Sequence, residues 1–152
     1  MRALIQRVSE ASVSVDGEIV GEIEQGILLF LAVVVGDSGQ QCSKMVRKVA
    51  GLRIFPDQQG RMNLSVKDIC GKILVVSQFT LAADLKKGYR PSFGQAQEPK
   101  LAAAMCKDFC QELAETGIEV EQGIFGADMR VALVNDGPVT FWLDFPPQPV
   151  VV

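Results

Sequence analysis

Ser77, Gln78, Phe79 and Thr80 form a polar corner on a run that is otherwise apolar, KILVVSQFTL at 72–81, which reads as a core strand. A strand end of this kind can aim consecutive backbone N–H groups, together with the Ser77, Gln78 and Thr80 side chains, at an oxyanion developing on a carbonyl. The plainer reading is an ordinary strand whose hydroxyl and amide groups only satisfy neighbouring backbone. A second segment, VNDGPVTFWLD at 134–144, places Gly137-Pro138 between two strand-like runs. Taken alone, Asn-Asp-Gly-Pro is a turn with a trans peptide bond, since cis X-Pro bonds are about 5–6% of folded cases.

The chain contains no histidine. A Ser-His or Cys-His nucleophile therefore cannot be built, and Ser77 or Thr80 could attack an ester only with a lysine or carboxylate as base. Asp84 and Asp136 are the nearby candidates in sequence, and neither has a suitable pKa by default. Four cysteines, Cys42, Cys70, Cys106 and Cys110, include no CxxC pair. Cys106 and Cys110 share a helix face at a spacing of four, but buried thiols are the better reading, so no metal and no cofactor are expected. Neither GxGxxG nor GxxxxGK occurs, which argues against nucleotide triphosphate chemistry. The net charge of −3 argues against a protein that coats nucleic acid, DNA included, through bulk electrostatics. Local basic clusters do exist at Arg47, Lys48 and Arg53, and at Lys86, Lys87 and Arg90. The second would meet a polymer first, because it follows the Ser-Gln-Phe-Thr corner.

These residues need a scaffold, and 152 residues suffice for one domain with a sizeable core. Residues 2–8 and 11–23 predict strands, the latter broken by an Asp16-Gly17 turn. ILLFLAVVV at 27–35 predicts a buried central strand, too short to cross a membrane. Ser38 offers an N-cap, and Cys42, Met45, Val46, Val49 and Leu52 recur at helical spacing to about residue 51. A short strand is expected near 53–55. A second helix is predicted from Pro99 to Gly117 with Leu101, Met105, Phe109 and Leu113 along one side. Two closing strands, 129–135 and 139–145, are expected on either side of a turn, with Val139, Phe141, Leu143 and Phe145 facing the core. The order ββ(βα)(βα)βββ describes a layered α/β domain with an extensive, barrel-like sheet and two helices. PPQPVVV at 146–152 predicts an extended proline-rich tail. With no apolar h-region at the N-terminus, the cytoplasm is the expected compartment.

The two segments together resemble the signature pair of D-aminoacyl-tRNA deacylases. MRALIQRVSEASVSVDG at the start, LRIFPDQQGRMNL at 52–64, RPSF at 90–93 and GADMRVALVNDGPVTF at 126–141 are similar to the family as well, in family order. The resemblance implies a domain over 1–145 that hydrolyses the ester of D-aminoacyl-tRNA, and of mischarged Gly-tRNA, in chiral proofreading. It implies a catalytic Ser77-Gln78-Phe79-Thr80 corner. It also implies a cis Gly137-Pro138 wall that rejects L-residues across a homodimer interface, with Arg7 of Gln6-Arg7-Val8 helping to hold the Gly-Pro carbonyls. From the residues alone, Arg7 could be a surface charge on the first strand. An activated ester, helped by the neighbouring ribose hydroxyl, suits a site that offers only placement and donors. Two other classes are compatible with the same residues. A different tRNA-adduct hydrolase, such as a peptidyl-tRNA hydrolase, would be expected to use histidine. A non-catalytic RNA-end-binding module would share the fold without turnover.

Overall fold

An apolar run with no polar alternation must be buried on both faces, and β3 (Gly26–Ala32) is. Ile27, Leu29 and Leu31 face one core, while Leu28 and Phe30 face another. The computed structural model describes residues 1–147. In chain order the other elements are β1 (Arg2–Val15), β2 (Glu18–Ile23), α1 (Gly39–Ala50), β4 (Phe55–Pro56), β5 (Met62–Leu64), β6 (Lys72–Ser77), α2 (Pro99–Glu115), β7 (Glu119–Gln122) and β8 (Arg130–Asp144). The main sheet runs β2-β1-β3-β6-β7, with β8 added on β1, and β4 and β5 form a small separate ribbon. β3, β6 and β7 are parallel, joined by crossovers that carry α1 and α2. The larger core lies between the sheet and these helices, and the smaller one inside the curl of the sheet, where β2 comes back against β6 and β7. The mixed α/β class with two helices and a nearly closed sheet agrees with expectation.

Helix α1 starts where Ser38 predicts. The Ser38 hydroxyl accepts from the Gln40 amide at 3.3 Å, and the Gln41 side chain accepts from the Ser38 amide at 3.0 Å, closing a capping box. Cys42, Met45, Val46 and Val49 are buried as their spacing requires. In α2, Glu98 caps the amides of Lys100 and Leu101 ahead of Pro99. Leu101 departs from expectation at 55% exposed, because four-residue steps drift around the helix and the buried side passes through Ala102, Phe109, Cys110 and Leu113 instead.

Two strand boundaries differ more. β1 is one continuous strand rather than two, bending while β8 stays paired with it from Arg2↔Asp144 to Ser14↔Arg130. The closing segment is not a hairpin: 130–135 and 140–144 pair with β1 in the same direction, so β7 and a single long β8 end the fold. Opposite Arg7 alone, residues 136–139 loop out as a wide bulge between Asn135↔Val8 and Thr140↔Gln6. Val139, Leu143 and Phe145 do reach the core, whereas Phe141 is exposed.

The chain start is tied into this frame. The Met1 ammonium donates to Asp37 Oδ1 at 2.6 Å and to the Phe145 carbonyl at 2.7 Å, and both charged partners are fully buried. Asp37 Oδ2 accepts from the Val34 amide at 2.8 Å. Of the expected tail, residues 148–152 lie outside the described residues.

Candidate active site

β6 stops at Ser77, earlier than the run to Leu81 predicts. Its last partner is Leu31 of β3, whose carbonyl also accepts from the Gln78 amide at 2.8 Å. The chain then curls into a 3-10 turn over Phe79–Ala82, with Leu81 N–H donating to the Gln78 carbonyl and Ala83 N–H to that of Thr80. The amides of Phe79 and Thr80, at the start of this turn, have no backbone partner among the described residues. The Thr80 hydroxyl donates to Gln78 Oε1 at 2.7 Å. Phe79, 57% exposed, meets Phe93 edge-on with ring centroids 5.0 Å apart.

Three residues of this corner, but not Thr80, border a cleft of about 630 Å³. Ser77, Gln78 and Phe79 line it, facing a mostly apolar wall from the end of β3, the start of α2 and residues 125–131. It can take a ring or apolar side chain while presenting donors to a carbonyl at its polar end.

Arg7, Gly137 and Pro138 form a separate constellation. Arg7 is buried rather than a surface charge; Nη1 donates to the Ile54 carbonyl at 2.7 Å, and Nε donates to the Asp136 carbonyl and pairs with Asp136 Oδ2, both at 3.1 Å. The peptide that follows Asp136 thus has its carbonyl fixed directly before Gly137. Asn135 staples the bulge from inside, its Nδ2 donating to the carbonyls of Arg7 and Val139, each at 3.0 Å. Gly137 has φ +130 and a cis bond to Pro138. Within one chain this loop does not line the cleft. Ser77 aligns through Leu31 with Ala3, whereas Arg7 lies four residues further along β1, roughly 13 Å away along the strands, with the loop on its far side.

Neither carboxylate considered as a base lines the cleft. Asp136 is engaged by Arg7, and Asp84 accepts from the Lys86 amide at 2.9 Å within its own loop. Cys106 does line it, but burial pushes its thiol up to about 12, as burial also does for Cys42 (about 12) and Cys110 (about 11). Thiolate, the reactive form, is then scarce at neutral pH. Cys70 alone of the four is exposed. Native alkylation at pH 7.5 is accordingly expected to label one thiol per chain quickly, at Cys70, and the rest only after unfolding; mass spectrometry showing rapid modification of Cys106 would contradict this.

A family model described as D-Tyr-tRNA(Tyr) deacylase matches residues 4–144. The chain belongs to this family. The D-aminoacyl-tRNA deacylase of Magnetococcus marinus is 66% identical over 149 residues, covering 97% of this chain and 99% of that protein. That of Ruegeria sp. is 54% identical, covering 95% and 92%. Among solved structures, the c-Myc DNA Unwinding Element Binding Protein superposes with TM-score 0.91 at 39% identity, covering 96% of this chain and 99% of that one. A probable eukaryotic D-amino acid tRNA deacylase superposes with TM-score 0.82 at 18% identity, covering 95% and 98%, which bears on the fold. The protein is thus a hydrolase of the deacylase family, acting on aminoacylated tRNA to release the D-amino acid.

Much of the cleft wall is not legible in the sequence. Phe93, Gln97, Phe125 and Gly126 line it. The RPSF and GADMR words that contain or adjoin some of them were visible, but nothing in their spacing assigns them to one wall. Asn135 was legible as a turn residue, not as the staple it is.

Proposed function

We propose that the deacylase holds the ester carbonyl of a D-aminoacyl-adenosine end at the Ser77–Thr80 corner, and that Gly137-Pro138 of a second copy screens the α-carbon. The observation that carries this is the separation of the two motifs. One chain keeps its Gly-Pro loop away from its own cleft, so a filter acting on the α-carbon has to come from another subunit. Exposed Leu133, Val134, Phe141 and Trp142 along β8 supply apolar surface for such a contact. A glycine at the wall and rigid carbonyls around it exclude an L side chain by position while leaving the D side chain room to point elsewhere, and a glycyl group passes. No cofactor is called for, and the cytoplasm, where aminoacyl-tRNA is made and used, is the compartment.

Water, helped by the vicinal ribose hydroxyl, adds to the ester carbonyl. The amides of Phe79 and Thr80, without a backbone partner among the described residues, and the Gln78 side chain stabilise the oxyanion; the C–O bond then breaks and the ribose oxygen takes the proton. Thr80 serves this corner as a donor. Its hydroxyl points at an amide oxygen, too weak a base to accept the proton that a nucleophilic Thr80 would have to lose. Hydrolysis of D-Tyr-tRNA over L-Tyr-tRNA tests the reading. Thr80→Ala is expected to retain measurable turnover, whereas tRNA ending in 2′-deoxyadenosine is expected to be cleaved far more slowly. An acyl-Thr80 adduct trapped from D-Tyr-tRNA would overturn the route.

A further inference from the structure

We propose that the loop between Asp84 and Ser92 is a clamp for the unpaired 3′ strand of the tRNA, with Lys86, Lys87 and Arg90 on phosphates and Tyr89 stacked on a base upstream of the terminal adenosine. This rests on the deacylase reading and names the part of the substrate that reading leaves unassigned. The loop is rooted at the mouth of the cleft. Asp84 and Ser92 exchange backbone hydrogen bonds at 2.7 and 3.0 Å, and the flanking Phe79 and Phe93, both cleft residues, clasp each other directly beside that root. Gly88 turns the tip with φ +66, and the Asp84 carboxylate caps the Lys86 amide, so the loop has a defined shape.

Its chemistry is that of a single-strand reader. In a chain of net charge −3, residues 85–97 contain three cations and no acid. None of the three enters an ion pair among the described residues, Tyr89 stands fully in solvent and Leu85 is exposed. Unpaired cations interleaved with an unburied aromatic match a polyanion with accessible base faces. The other basic cluster is different: Arg47 and Lys48 occupy the last turn of α1, where they complement the helix dipole.

The test is steady-state hydrolysis of D-Tyr-tRNA across a salt series. The triple variant Lys86→Ala/Lys87→Ala/Arg90→Ala is expected to raise KM with kcat kept, and to flatten the slope of log(kcat/KM) against log salt by about 2, since each single-strand phosphate contact contributes about 0.7. Tyr89→Ala is expected to raise KM by roughly tenfold, and Tyr89→Phe to restore it. On 3′-O-D-tyrosyl adenosine, which has no phosphate, the triple variant is expected to match wild type. Unchanged KM and salt slope on tRNA would overturn the clamp. So would an equal loss on the adenosine ester, which marks a structural defect, or dissociation of the oligomer in the triple variant, which marks a subunit contact. Wild type inactive on D-Tyr-tRNA would overturn the deacylase reading itself, and the clamp with it.

Discussion

Gly137→Ala is expected to cut kcat/KM for D-Tyr-tRNA by at least about 100-fold while leaving the fold intact. A Cβ at this position would stand 2.6 Å from Val139 Cγ2, 3.0 Å from Arg7 Nη2 and 3.2 Å from the Val139 amide. At φ +130 a side chain also pays roughly 1–3 kcal/mol in backbone strain, which a domain of this size survives. Relief requires Arg7 or the loop to move, and either displaces the wall proposed to meet the substrate, a loss of about 2.7 kcal/mol in transition-state binding for each 100-fold. The proposed cross-subunit arrangement predicts a sharper result. Gly137→Ala and Gln78→Ala chains, each inactive alone, are expected to regain about a quarter of wild-type activity when unfolded together and reassembled, because half the dimers would hold one site with both motifs intact. Activity that stays absent in the mixture would put Gly137 and Gln78 in the service of the same subunit.

Asp37→Ala is expected to destabilise the protein by about 3–5 kcal/mol, the usual result of leaving one member of a buried ion pair alone. The Val34 amide would lose its acceptor in the same step. At about 2–4 °C per kcal/mol the melting temperature should fall by on the order of 10 °C. Asp37→Asn keeps an acceptor for Val34 and for the terminal amine, so its loss should be smaller. A melting temperature for Asp37→Ala within a degree or two of wild type would mean that the pair contributes no net stability.

Elements that declare themselves locally were legible in the sequence. The Ser38 N-cap, the Cys42-Met45-Val46-Val49 spacing and the run at β3 depend on neighbours a few residues away, and the structure follows them. What was not legible depends on distant partners. Asn-Asp-Gly-Pro has the chemistry of a reversal, yet the chain continues forward, because the runs on both sides find pairing along a single 14-residue β1 that no local pattern announces. Ser77–Thr80 could be singled out by residue type, but its turn amides become available only because β6 ends against Leu31. The apolar wall, assembled from residues 31 to 131, was beyond reach for the same reason.

The pairing of β1 with β8 joins Arg2 to Asp144. During synthesis, at roughly 5–20 residues per second, the first strand therefore waits on the order of ten seconds for its partner to be translated. Until then β1 has β2 and β3 on one edge and an open edge on the other, a template for pairing with another nascent chain. Contacts so distant in sequence also place the fold among slow, topology-limited folders. The same late closure forms the bulge that carries Gly137, so the proposed selectivity wall exists only once that last strand has been made.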